Sequence, residues 1–81
     1  MDDQSILHSI KALMDREHAL RAAREDGVVD AGEEVEELAR LEVDLDQCWD
    51  LLRQRRAKRD FGRDADEAEA RPASMVERYW Q

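Results

Sequence analysis

The fold is decided by residues 38–64, LARLEVDLDQCWDLLRQRRAKRDFGRD. The first half of this stretch repeats apolar side chains every three or four residues, the spacing that places them on one face of an α-helix. These are Leu38, Leu41, Leu45, Cys48, Trp49 and Leu52. The second half carries a cluster of cations, Arg53, Arg55, Arg56, Lys58, Arg59 and Arg63. The stretch therefore predicts one helix with a packing face in its first half and concentrated positive charge in its second.

Local signals set the limits of this helix. Asp30 is followed three residues later by Glu33, the pattern of a capping box at a helix start. No glycine lies between Gly32 and Gly62, and the single proline comes further on, so nothing interrupts the helix before its basic end. We predict a helix over residues 31–61.

A helix with the same period precedes it. Its apolar positions are Ile6, Ile10, Leu13 and Leu20. Gly27 is placed to end this helix in the left-handed conformation, which predicts a helix over residues 4–26. A short connection makes consecutive helices antiparallel neighbours. We therefore predict an all-α fold, an antiparallel helical hairpin, in which Glu17 pairs with Arg40 across the two helices.

The rest of the chain is predicted to form a polar connector over residues 62–71 and a short helix over residues 72–80. Pro72 suits the first position of a helix. Tyr79 and Trp80 give that helix an apolar strip. The 81 residues make a single domain, because a chain of this length supports one core at most.

Two helices alone leave part of the apolar stripe exposed to water. The C-terminal tail, a second copy of the chain or a different protein would cover it. We favour a second copy, which predicts a homodimeric four-helix bundle. Its core or oligomer contacts are predicted to be Ile6, Ile10, Leu13, Leu20, Leu38, Leu41, Leu45, Cys48, Trp49 and Leu52.

Composition limits the setting and the partners. The formal net charge is -8, which argues against nucleic acid, because binding to phosphates needs matching cations. Cys48 is the only cysteine, as is usual in a reducing compartment. The first residues lack the basic region of a signal peptide, and no apolar run approaches the roughly 20 residues of a membrane span. We expect a cytoplasmic protein without membrane contact.

Two residue pairs have the spacing of a metal site or of a catalytic nucleophile and base. For both pairs a structural role is the favoured interpretation. Asp15 and His18 have the spacing of carboxylate-histidine metal ligands in helical bundles, but the heptad pattern places both on the outer face. His8 and Cys48 are a possible base and nucleophile, but a thiol in the packing seam has a raised pKa and low reactivity. We expect no enzyme activity, no cofactor and no metal site.

The basic cluster has three interpretations: neutralisation by nearby carboxylates of the chain, contact with an acidic protein, or contact with phosphates. The first is favoured, and no glycine-rich loop or stacking aromatic pair supports the third. The predicted function is a non-enzymatic interaction or adaptor module, in which the basic cluster, Tyr79 and Trp80 contact an acidic partner. The alternatives are a nucleic-acid or ribosome-associated module that uses the same cations, and a ferritin-like metal protein that uses Asp15 and His18.

The chain also resembles a known family. The similarity is carried by Glu17-His18, by LEVDLDQCWDLLRQRR over residues 41–56, by Phe61-Gly62-Arg63-Asp64 and by Arg71-Pro72. These residues are typical of a family of short actinobacterial proteins that is catalogued as a domain of unknown function. The resemblance spans essentially the whole chain. It implies a bacterial cytoplasmic setting and carries over no activity and no site residues.

Overall fold

The structure, a computed structural model, describes residues 2–72. It consists of helix α1, Asp3–Glu25, helix α2, Ala31–Asp60, and a single 3-10 turn, Ala65–Glu67. The described part contains no strand, and the predicted all-α helical hairpin is confirmed. The short helix predicted over residues 72–80, with Tyr79 and Trp80, lies outside the described residues.

Helix α1 begins and ends on side-chain and backbone caps. Asp2 is the N-cap, and its Oδ1 accepts a hydrogen bond from the Ser5 backbone N–H at 2.8 Å. At the other end Gly27 has a φ of 75°, a left-handed conformation that a side chain would disfavour. The Val28 N–H donates to the Ala23 carbonyl at 2.9 Å, which completes a Schellman motif. These caps fix where the chain turns.

Helix α2 is capped in the same way as α1, by an aspartate at its start and a Schellman motif at its end. Asp30 Oδ1 accepts a hydrogen bond from the Glu33 N–H at 2.8 Å, as the capping pattern indicated. After the last turn Gly62 has a φ of 71°, and the Arg63 N–H donates to the Lys58 carbonyl at 2.7 Å. The second Schellman motif turns the chain back toward the hairpin.

The apolar core is small. Ile6, Ile10 and Leu41 are buried in the two helices, and Ala65 is buried in the 3-10 turn. The other predicted seam residues are half-buried: Leu13, Leu20, Leu38, Leu45, Cys48 and Leu52. Trp49 differs from them, with 42% of its surface exposed. The molecule extends 51 × 25 × 14 Å, so its thickness is little more than one helix diameter.

The segment after α2 lies along the hairpin and is more ordered than the predicted polar connector. We call residues 64–71 the return segment. Asp64 caps the 3-10 turn, because its Oδ1 accepts from the Asp66 N–H at 2.9 Å. Gln47 Nε2 then donates to the Arg71 carbonyl at 3.2 Å. The return segment therefore runs back beside α2 as far as the level of Gln47.

The outer surfaces of both helices are covered by charged side chains. The predicted pair between Glu17 and Arg40 is replaced by pairs within each helix, since Glu17 lies 3.5 Å from Arg21 and Arg40 lies 3.3 Å from Glu37. Partners one helical turn away are nearer than partners on the other helix. Neither α1 nor α2 contains the apolar length that crossing a membrane requires.

Candidate functional site

The basic end of α2 is fastened to the start of α1 through one carboxylate. Arg55 Nε donates to Asp3 Oδ1 at 2.5 Å, and Arg59 Nη2 donates to Asp3 Oδ2 at 2.7 Å. Asp3 lies in the first turn of α1, where the helix dipole also favours a negative charge. Hydrogen bonds from Arg59 and Arg55 lower the pKa of Asp3 to about 2. These three residues close the open end of the hairpin.

Arg55 also holds the return segment. Its residue surface is only 6% exposed, although arginine is rarely buried without partners. Its Nη1 donates to Asp66 Oδ1 at 2.9 Å and to the Ala65 carbonyl at 3.3 Å. Through its Nε and Nη1 groups, one guanidinium thus joins α1, α2 and the return segment. Arg55 belongs to the internal charge network of the fold.

A second polar cluster surrounds Asp50, which is only 2% exposed. The Arg71 guanidinium donates to both carboxylate oxygens, and Gln54 Nε2 donates to Asp50 Oδ2 at 3.0 Å and to the Glu69 carbonyl at 2.7 Å. Arg53 lies 4.0 Å from the same carboxylate. Burial raises the pKa of Asp50, but the hydrogen bonds from Arg71 and Gln54 outweigh it, so the net shift is downward. The carboxylate stays ionised and anchors the return segment.

The remaining cations of the cluster lie outside these two networks. Lys58 Nζ is 3.6 Å from Glu67 Oε2, a long and partly exposed pair that contributes little. Arg56 and Arg63 are exposed, and no carboxylate of residues 2–72 pairs with either one. The basic end therefore keeps an outward positive surface after the internal pairs are formed.

An open depression lies on this surface at the end of α2. It is lined by Gln54, Ala57, Lys58, Phe61 and Arg63. Phe61 is 84% exposed, which is unusual for a large aromatic side chain. The depression thus combines an apolar wall with two cationic side chains.

Among the six predicted basic contact residues, the structure separates cations that pair within the chain from cations that face solvent. Arg55, Arg59 and Lys58 face carboxylates of the chain itself, and Arg55 is buried rather than available to a partner. Arg56 and Arg63 face solvent. Arg53 lies between the groups because it contacts Asp50 and is exposed. Tyr79 and Trp80, the other predicted contacts, lie outside the described residues.

Sequence patterns alone missed Asp3, Asp50, Arg71 and Phe61. For Asp50 and Arg71 we find no sequence signal, since they are 21 residues apart and meet only because the chain turns back. The clue to Asp3 was Arg55, which follows Leu41 and Cys48 at seven-residue steps and so occupies the seam, where a cation needs a buried partner.

The residues considered for chemistry are placed as follows. Asp15 and His18 are exposed, and Lys11 Nζ lies 2.9 Å from Asp15 Oδ2. Burial, and to a lesser degree the charge of Asp44, raises the pKa of the Cys48 thiol. Within residues 2–72, no three His, Cys, Asp or Glu side chains form a group that could hold a metal ion.

A family model and the sequences of related proteins both place this chain among proteins of unknown function. A family model described as "Protein of unknown function (DUF2630)" matches residues 2–81. An uncharacterized protein of Mycobacterium bovis, and one from each of two strains of Mycobacterium tuberculosis, are 50% identical to this chain over 78 residues. The aligned region covers 96% of this chain and 88% of each relative. No solved structure matches the chain.

Proposed function

This chain belongs to the DUF2630 family, and we propose that it is a non-enzymatic, cytoplasmic protein-interaction module. Its basic helix end binds an acidic protein segment that also carries an apolar side chain. The observation that supports this proposal is the exposure of Phe61 beside Lys58 and Arg63 in the depression at the end of α2. Exposed aromatic rings flanked by cations are typical of interaction hot spots.

The charge distribution supports an acidic partner. The chain carries a net charge of -8, yet Arg56 and Arg63 keep the end of α2 locally positive. An acidic segment approaching the rest of the molecule is repelled, whereas at this end it meets cations, so the local charge selects both the partner and its position. The apolar side chain of the partner packs on Phe61, and its carboxylates pair with Lys58 and Arg63.

A non-enzymatic role is supported by the state of the cysteine. Cys48 is the strongest potential nucleophile in the chain, and burial with the nearby Asp44 charge keeps it in the less reactive thiol form. The charged residue beside Cys48 is Asp44, whose negative charge disfavours the thiolate, whereas a cation would favour it.

The same cations also suit phosphates, which keeps a nucleic-acid or ribosome-associated module as the second candidate. Arg55 and Arg59 already contact the Asp3 carboxylate, which leaves fewer cations for phosphates. Since the salt dependence of nucleic-acid binding follows the number of phosphates neutralised, this surface is expected to give weak binding with a shallow salt dependence.

Photocrosslinking tests the proposal directly. A benzophenone amino acid replaces Phe61 in the full chain, which is expressed in a mycobacterium, the bacterial group of its relatives. We expect a discrete crosslinked protein with an acidic segment at the site of attachment. Reversing Lys58 and Arg63, the two cations of the depression, to Glu is expected to remove the product and to weaken binding of the purified partner by roughly tenfold or more.

The matched control carries the same probe at Val28, which is 77% exposed at the opposite end of the hairpin. Identical products from positions 61 and 28, or a product unaffected by the charge reversals, would contradict the proposal. Crosslinks from position 61 to RNA would instead support the second candidate.

A further inference from the structure

The two long edges of the hairpin differ in how well they are covered. The residues that pack between the two helices occupy positions a and d of a seven-residue repeat, with Leu13 and Leu20 at d in α1 and Leu45 and Leu52 at a in α2. The positions on either side of this packing seam are e and g. In an antiparallel pair the e positions of both helices lie on one edge and the g positions on the other, because reversing a helix exchanges its sides. We call these the e edge and the g edge.

The g edge is covered along half of its length. Ser9 and Leu13 of α1 and Cys48 and Leu51 of α2 line a groove there, and Ala70 of the return segment reaches into it. Asp50 and Gln54 hold that segment in place from the same side of α2. The chain therefore covers part of its own g edge.

The e edge carries no such cover from residues 2–72. All seven of its residues are exposed: Leu7, Met14 and Arg21 on α1, and Val35, Glu42, Trp49 and Arg56 on α2. Leu7, Met14 and Trp49 are 49%, 51% and 42% exposed. Three large apolar side chains on one edge, one of them tryptophan, form a surface that isolated soluble domains rarely leave bare.

The charges along this edge are arranged so that α1 complements α2. The b positions lie next to the e positions on the outer side of each helix. From Leu7 to Arg21 the e and b positions of α1 include Lys11 and Arg21 and no carboxylate. From Val35 to Trp49 the same positions of α2 include Glu42 and Asp46 and no cation. Between these limits the α1 side of the edge is positive and the α2 side is negative, and Arg56 lies beyond them.

The hairpin contacts fix which of these residues share a height. Arg16 lies 3.7 Å from Glu37, and Asp3 contacts Arg55, so the chain numbers run in opposite directions along the two helices. On that alignment Leu7 is level with Trp49, and Lys11 is one residue, or about 1.5 Å along the helix, from the level of Asp46. The oppositely charged residues, like the apolar ones, therefore lie at nearly the same height.

We propose that the e edge is the interface between two copies of this chain, with α1 of one copy beside α2 of the other. A two-fold axis parallel to the helices places Leu7 against Trp49 of the partner subunit and Lys11 against Asp46 of the partner subunit. It converts one layer of helices into the two layers that a domain core requires. An edge of a molecule 51 Å long accommodates the roughly 800 Å² that each partner buries in a stable interface.

This interface is separate from the proposed partner site, which lies at Phe61 and Arg63. Light scattering coupled to size exclusion, over a hundredfold dilution of the full chain, measures the mass of the assembly. We expect twice the chain mass of 9.5 kDa for the wild type. Trp49→Glu is expected to weaken dimerisation by roughly a hundredfold, since aromatic residues at interface centres dominate association.

Phe61→Glu is the matched control, because it makes the same kind of change at a more exposed aromatic residue away from the e edge. Its dimer is expected to be as stable as that of the wild type. A monomeric wild type, or equal weakening by the two substitutions, would overturn the proposal. Helix content measured by circular dichroism shows whether each variant remains folded.

A charge exchange tests the arrangement of the two copies independently. Lys11→Glu and Asp46→Lys are each expected to weaken the dimer, because each places like charges side by side across the interface. The double variant restores the opposite pair and is expected to recover most of the lost affinity. Failure of the double variant to recover would overturn the pairing of α1 with α2 between copies.

Discussion

The e edge and the g edge of the hairpin are built on the same seven-residue repeat, but only the g edge is covered by the chain itself. The g edge has Asp50 and Gln54, which hold the return segment through Arg71 and the Glu69 carbonyl. The e edge has Leu7, Met14 and Trp49 facing solvent. The comparison shows that polar contacts, rather than the apolar stripe, decide which edge the chain covers.

Asp50→Ala removes the anchor of the g edge and is expected to have the largest effect on stability. It leaves Arg71 and Gln54 without their shared acceptor, and we expect the free energy of unfolding to fall by about 2 kcal/mol. For a domain of this size the melting temperature falls by roughly 10 °C. Asp44→Ala is the control, an exposed aspartate of the same helix, with an expected change within about 0.5 kcal/mol. Equal losses in the two variants, measured by thermal denaturation, would show that the covered edge adds no stability.

Arg55→Ala breaks the other attachment of the return segment. It removes the hydrogen bonds to Asp3, Asp66 and the Ala65 carbonyl, so we expect a clear decrease in the urea concentration at the unfolding midpoint. Arg56→Ala changes the neighbouring exposed arginine and is expected to leave the midpoint nearly unchanged. If both variants unfold at the same midpoint, Arg55 does not hold the segment.

The contribution of Asp3 depends on pH. Its pKa is lowered from 3.8 to about 2 in the folded chain, so its stabilising effect is fully present above the unfolded value and is lost as the pH falls from about 4 to about 2. Urea unfolding of the wild type and Asp3→Asn is expected to differ at pH 6 and to converge toward pH 2. A difference of constant size across this range would contradict the role of the Asp3 charge.

Arg16→Ala tests the part of the g edge that the return segment does not reach, and the smallest effect is expected there. Its partner Glu37 lies 3.7 Å away, and the side chains of Arg16 and Glu37 are 66% and 36% exposed, so water screens the pair. We expect a change in unfolding free energy within about 0.5 kcal/mol. A loss as large as that of Asp50→Ala would remove the distinction between covered and uncovered parts of the edge.

The hairpin itself could be predicted because its signals are local. Asp30 and Glu33 mark the start of α2, Gly27 marks the end of α1, and the apolar spacing indicates helices. Each signal acts within about one helical turn, where the geometry is the same in every protein. The sequence therefore gives helix limits close to those of the structure.

The return segment could not be predicted in the same way. Its contacts join residues as distant as Asp3 and Arg55, and they use hydrogen bonds from Gln47 and Gln54 to backbone carbonyls, which leave no period in the sequence. The charge pattern did suggest that nearby carboxylates neutralise the basic cluster, and Asp66 and Glu67 do so. The division of that cluster into internal and outward cations needed the structure.

Hydroxyl-radical footprinting at two protein concentrations tests the difference between the edges most directly, because it measures the solvent access of individual side chains. We predict that Leu7, Met14 and Trp49 are protected at high concentration and become reactive on dilution, whereas Leu51 on the g edge reacts equally at both. Reactivity of the e edge that is independent of concentration, or a change of the same size at Leu51, would contradict an interface at the e edge.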